Sequence, residues 1–187
     1  MQAEINSAIT ILKQGGLLLY PTDTIWGIGC DATNFEAVEK IYNLKKREDS
    51  KSLICLVNDF KMLERYIEDV PENAIDILKY ATQPTTIIYD RPLHIAENLI
   101  SGDNSLAIRI IRNTSFVNEL IQKFKKPIVS TSANISGKPA PKSFKEISQE
   151  VLKGVDYVVN LPNVKSSSKP STIIKLSNDG KVKVIRQ

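Results

Sequence analysis

Imidazole and thiol are scarce in this chain. Of 187 residues one is histidine, His94, and two are cysteines, Cys30 and Cys55. A lone histidine in a polar loop supports no Ser-His-Asp set, and three soft donors without ligand spacing support no zinc site. The two cysteines stand among apolar neighbours and read as buried free thiols, which suits a reducing compartment. No GxxxxGK[ST] and no GxGxxG occurs, so a nucleotide site here is neither a P-loop nor a dinucleotide fingerprint. No apolar run approaches the roughly 20 residues that span a bilayer. The opening "MQAEINSAIT" lacks the basic-then-apolar pattern of a signal peptide, and a cytoplasmic protein is expected.

What is present is ordinary in amount and telling in order. With 42% hydrophobic and 25% charged residues, the chain is expected to fold as one domain, residues 1–187, large enough for a sizeable core. Lysine and arginine total 25 against 21 acids, a formal +4 that admits anionic ligands or RNA and demands neither. Ile5, Ala8, Ile9 and Leu12 fall at helical spacing before "GG" at 15–16, and "LLLY" reads as a buried strand ending at Pro21. Thr33 and Glu36 form a capping box for a helix over "AVEKIYNL", and Ser143 and Glu146 a second one ahead of Phe144, Ile147 and Val151. "KMLERYI", "ENAIDILKYA" and the stretch around Val117–Phe124 read as helices. "SLICLV", "TTIIY", "SLAIRII", "PIVSTS", "DYVVN", "STIIKL" and "KVKVIR" read as strands. Helices and strands interleave throughout, which predicts an α/β fold with a mixed, twisted sheet.

Four polar clusters sit at strand ends. "PTDTIWG" (21–27) reads either as a turn held by side-chain hydrogen bonds or as a site. "KKREDSKS" (45–52) carries Lys45, Lys46, Arg47 and Lys51. These are either solvated cations favoured at a helix C-terminus or a phosphate clamp. Arg109 interrupts the apolar "SLAIRII" and faces either solvent on an edge strand or an anion within. "VSTSANISG" offers Ser130, Thr131, Ser132 and Asn134 before Gly137, a set of hydroxyl, amide and backbone donors suited to oxyanions. Such groups position and neutralise charge; they are not covalent catalysts.

Taken in order, these stretches resemble the threonylcarbamoyl-AMP synthase family, the YrdC-like domain in its short form. The resemblance rests on "YPTDTIWGIGCDA", "LKKREDSKSL", "QPTTIIY", "SLAIRII", "STSANISG", "KPSTIIKL" and "VKVIRQ". It implies a twisted open sheet, parallel and antiparallel, flanked by helices, with a concave basic face. It implies an enzyme that makes threonylcarbamoyl-adenylate and pyrophosphate from L-threonine, bicarbonate and ATP with Mg²⁺. A downstream threonylcarbamoyl transferase complex then modifies tRNA, and a tRNA contact by this chain is among the partners considered. By the same resemblance Thr24, Arg109, Ser130 and Ser171 hold threonine or its carbamoyl group. Arg47, Lys51, Ser105, Ser132, Asn134 and Arg186 attend ATP, and Lys45 and Arg47 are the catalytic cations. The chain departs from the pattern at Glu48 and Ser52, where proline is usual, and at Leu56, where longer members often have histidine. Asp23 replaces the common glutamate. The readings that compete are an RNA-binding module on the same scaffold and a carbamoyl-adenylate-forming domain.

Overall fold

The computed structural model describes residues 1–22, 25–46, 53–112, 115–161 and 171–186. Its centre is a nine-stranded sheet: β1 (Leu18–Pro21), β2 (Trp26–Gly29), β3 (Ile54–Val57), β4 (Thr85–Asp90), β5 (Ser105–Ile110), β6 (Ile128–Ser132), β7 (Tyr157–Val158), β8 (Thr172–Leu176) and β9 (Val182–Arg186). Their order across the sheet is β7-β1-β2-β6-β3-β5-β4-β8-β9. Three pairs are parallel, β1–β7, β3–β5 and β4–β8, and the other five are antiparallel. The sheet is therefore mixed, as the interleaved pattern predicts.

Helices α1 (Gln2–Lys13), α2 (Phe35–Lys45), α3 (Phe60–Leu63), α4 (Asn73–Tyr80), α5 (Phe116–Phe124) and α6 (Gln149–Gly154) flank it. Helices α1, α3 and α5 lie against the strands, and α1 also packs on α5. Ile5, Ala8 and Leu12 are the buried stripe of α1, the residues whose spacing marks it as amphipathic. Side chains alternate across a strand, so one set from each strand enters this core. Cys55, Val57, Leu106, Ile108, Ile87 and Val129 are that set in the middle of the sheet.

The helix starts differ from the predicted boxes. Asn34, one residue after Thr33, caps α2 by accepting from the Ala37 N–H at 2.9 Å, because Asp31 already takes the Thr33 hydroxyl and amide. Ser143 and Glu146 do bond each other, at 3.3 Å, but they bracket a single 3₁₀ turn; α6 begins at Ser148, whose hydroxyl accepts from Val151. "KMLERYI" closes after four residues as α3. The strand β2 lies inside what reads as a polar turn segment, because its two glycines break the apolar alternation.

Both cysteines are fully buried, as free thiols. Burial pushes the Cys55 thiol up to about 12, and burial with Cys55 and Asp31 nearby raises Cys30 well above its ordinary value. The thiolate is the reactive form. A disulfide reagent at pH 8 is expected to label the native protein more than about a thousandfold more slowly than the unfolded chain, with both thiols becoming reactive together on denaturation. Fast labelling of either thiol in the native protein contradicts this burial.

Candidate active site

The face of the sheet away from that core carries the polar residues, and strand register decides which of them meet. In "SLAIRII" the period of two puts Ser105, Ala107 and Arg109 on one face. Ile54 pairs with Ala107 and Leu56 with Arg109; on the other side of β3, Ile54 pairs with Ser130. Ser132 pairs with Gly27 of β2. Across the opposite half, Ala107 pairs with Ile88, Thr86 with Ile173 and Ile173 with Arg186. Residues from seven strands thus line one cavity of about 480 Å³.

The cavity floor is apolar, with Gly27, Ile54, Leu56, Ile88, Ala107 and Ile173. Its polar lining is Thr22, Arg109, Ser130, Thr131, Ser132, Ser171 and Arg186, with no aspartate or glutamate among the described residues that line it. Arg109 is 6% exposed and lies on a central strand, which removes the edge-strand reading of its sequence position. A guanidinium at the wall of such a cavity offers a planar fork of donors that suits a planar anion.

Two sequence features explain how the rim is held. Thr22 makes the turn that its residue type predicts: its hydroxyl donates to the Ile25 carbonyl at 2.7 Å and accepts from the Ile25 N–H at 3.1 Å. These bonds agree with the turn reading of "PTDTIWG", and Thr22 and Ile25 also line the cavity. At the far side, Arg186 donates from Nε and Nη2 to the Ser171 carbonyl at 3.1 and 2.7 Å, and Ser171 Oγ bonds Thr86 Oγ1 at 2.9 Å. Burial pulls the Arg186 pKa below the usual arginine value. A register shift between Ile173 and Ile174 leaves Ile185 as an extra residue on β9. Simple alternation would send Ile185 and Arg186 to opposite faces; the bulge turns both into the cavity.

The sequence-derived candidates divide. Arg109, Ser130, Ser132, Ser171 and Arg186 meet in the cavity. Thr24, Arg47 and Lys51 lie outside the described residues. Lys45, Asn134 and Ser105 are not among the residues that line it. Lys45 is 1% exposed at the end of α2, and its ammonium donates to the carbonyls of Ser132 and Asn134, each at 2.6 Å. Its own carbonyl accepts from the Ser136 N–H at 2.9 Å. The residue is thus tied at both ends to the "STSANISG" loop. Asn134 spends its amide inside that loop, donating to the carbonyls of Ile135 at 3.1 Å and Lys138 at 2.5 Å. Ser105 faces an adjoining hollow.

The apolar floor is what sequence reading misses. Gly27, Leu56, Ile88 and Ile173 carry no chemical signal of their own, and only their positions in the period-two alternation beside Ser130, Arg109 and Ser171 mark them. Leu56, fully buried on this floor, presents its methyl groups to the cavity.

Comparison with known proteins agrees with this geometry. The family model Sua5_yciO_yrdC, described as telomere recombination, matches residues 10–187. The chain belongs to the Sua5/YciO/YrdC family. A protein from Methanocaldococcus jannaschii is 40% identical over 189 residues, which cover 95% of this chain and 84% of that one. A threonylcarbamoyl-AMP synthase of Pseudoalteromonas translucida is 35% identical over 97% of both chains. Among solved structures, P. abyssi Sua5 complexed with L-threonine superposes with a TM-score of 0.85 at 26% identity, over 94% of this chain; the chain spans about half, 52%, of that protein's length. E. coli YciO superposes with a TM-score of 0.85 at 25% identity, over 100% of this chain and 90% of its own. The mixed sheet flanked by helices is thus the Sua5/YciO/YrdC fold. Among the described residues no helix is long and apolar enough to cross a membrane.

Proposed function

We infer that this Sua5/YciO/YrdC chain is an L-threonylcarbamoyladenylate synthase, a transferase of the nucleotidyltransferase type. It joins L-threonine, bicarbonate and ATP and releases pyrophosphate. The observation that carries the reading is Arg109, buried at the centre of the sheet and lining one cavity with Ser130, Ser132, Ser171 and Arg186. The names of similar proteins and the threonine bound by P. abyssi Sua5 point the same way.

The chemistry fits such a cavity. The neutral amine of threonine attacks the carbon of bicarbonate, a C–N bond forms, and water is lost as the N-carboxylate appears. A carboxylate oxygen then attacks the α-phosphorus, and the bond to pyrophosphate breaks. Both partners in the second step are anions, so repulsion between them is the barrier to be lowered. Fixed cations and dipoles in a site of low dielectric do this without reorganising. Arg109 pairs with the threonine carboxylate, with Ser130, Ser171 and Thr24 beside the amine and carbamoyl group. Arg186, Ser132, Arg47 and Lys51 attend the nucleotide. Lys45 and Asn134 act through the loop they hold. Mg²⁺ would enter with ATP and would supply neutralisation of the phosphate charge.

The product passes to a downstream threonylcarbamoyl transferase complex acting on tRNA. A purely RNA-binding role is less well supported: backbone readers expose their arginines on open faces, whereas Arg109 is buried. The deciding experiment incubates the protein with ATP, bicarbonate and L-threonine and identifies the product by mass spectrometry. Threonylcarbamoyl-AMP together with pyrophosphate is expected. Tight, salt-sensitive tRNA binding without threonine-dependent pyrophosphate release overturns the assignment.

A further inference from the structure

The core face of the sheet runs out to water at its last strand. Two rows cross β4, β8 and β9 in register, Ile87–Ile174–Val184 and Tyr89–Leu176–Val182. Ile87, Tyr89 and Leu176 are buried, whereas Val184 and Val182 are 52% and 51% exposed. On the cavity side of β9, Ile185 is half exposed as well. β9 is the outermost strand, and among the described residues no strand pairs with its outer edge. An open edge with apolar side chains on both faces is a template for another strand.

The hairpin fixes which backbone groups face outward. The Ser177 N–H donates to the Lys181 carbonyl at 3.0 Å, so these two residues form a hydrogen-bonded pair. Bonded and non-bonded pairs alternate along an antiparallel ladder. Leu176–Val182 and Ile174–Val184 are then non-bonded pairs, and Lys175–Lys183 is a bonded one. The N–H and C=O groups of Val182 and Val184 therefore point away from β8, to the open side.

We propose that β9 pairs antiparallel with β9 of a second copy of this chain, about a twofold axis at Val184, and joins the two sheets into one. A twofold axis normal to the sheet keeps every side chain on its own face, so only residues of the same face are opposed. Centring on Lys183 or Ile185 meets backbone groups that are turned inward to β8. Centring on Val184 uses the outward groups and pairs the whole strand. Val184 then lies opposite its own copy, Val182 opposite Arg186, and Lys183 opposite Ile185. Charge favours a second copy as the occupant. Lys183 and Arg186, the cations of β9, each meet an apolar residue, and like charges are nowhere directly opposed. The pairing also sets Lys183 of the second copy beside Ile185, at the cavity wall. It holds whatever reaction the cavity performs.

The test is the mass in solution, measured by light scattering on a sizing column over a range of loading concentrations. The wild-type mass is expected to double as the concentration rises. Val184→Lys sets two lysines on the axis and is expected to stay a monomer, folded by thermal scan. Cysteine cross-linking reads the register against a quiet background, since Cys30 and Cys55 are buried. In a bonded antiparallel pair the Cα atoms lie about 5.5 Å apart, within reach of a disulfide, whereas Lys183 and its own copy straddle the axis beyond about 7 Å. Under mild oxidation Val184→Cys is expected to form linked dimers at least about tenfold faster than Lys183→Cys. A wild-type protein that stays monomeric at its highest soluble concentration overturns the proposal, whatever the cysteine variants do. A dimer that survives Val184→Lys overturns it too, as do equal linking rates in the two cysteine variants. If Val184→Lys does not fold, the cysteine pair decides by itself.

Discussion

Arg109→Met is expected to lower kcat/KM for L-threonine by about 10³-fold or more, roughly 4 kcal/mol of transition-state stabilisation. Arg109 is the arginine on the central strand β5, 6% exposed, with Leu56 beside it in register on β3. Methionine has a similar length and no charge, so the variant tests the guanidinium itself. Threonine-dependent pyrophosphate release is expected to collapse in a protein that a thermal scan shows to be folded. Arg109→Lys does not restore it, since a point charge cannot reproduce a planar fork on a carboxylate. Activity within tenfold of wild type in a folded Arg109→Met protein sinks the assignment.

Lys45→Met is expected to do the reverse in its first effect, and unfold the protein more easily. The Lys45 ammonium is the charged donor to two loop carbonyls, those of Ser132 and Asn134, at 2.6 Å each. Methionine leaves both acceptors without it, in a buried position. Bonds to charged groups and unmatched buried acceptors together put the loss at about 3–5 kcal/mol. For a domain of this size that is a fall in Tm of roughly 10 °C. Activity falls with it, because the Ser130–Ser132 strand end loses the cation that sets the loop. The stability change is visible without nucleotide, and that separates holding the loop from binding phosphate. A Lys45→Met protein with wild-type Tm and weakened ATP binding would instead place the ammonium on the phosphates.

The two substitutions mark where sequence reasoning stopped. Both residues look alike in the sequence, as cations beside apolar strands in motifs of one family. A sheet has only two faces, so the alternation in "SLAIRII" is enough to put Ser105, Ala107 and Arg109 together on one of them. No comparable rule says whether Lys45, at the last turn of a helix, points to a ligand or to a backbone carbonyl some 90 positions on. The helix boxes show the same limit in miniature. Thr33 has the right side chain for a cap, but Asp31 takes its hydroxyl, and Asn34 caps the helix instead.

From the sequence alone came the α/β class, the buried thiols, every strand but β2 and the polar residues gathered at strand ends. Those are local matters: periodicity, propensity and residue chemistry act within a few positions. Only the tertiary structure decided the order of strands across the sheet, the apolar floor contributed by β3, β4 and β8, and the bulge that turns Ile185 and Arg186 to the same side. It also decided which hydroxyl proton and which ammonium are already spent on protein partners. Such pairings depend on register and on groups far apart in the chain, and a hydrogen bond has no signature in the sequence until both of its ends have been brought within 3 Å.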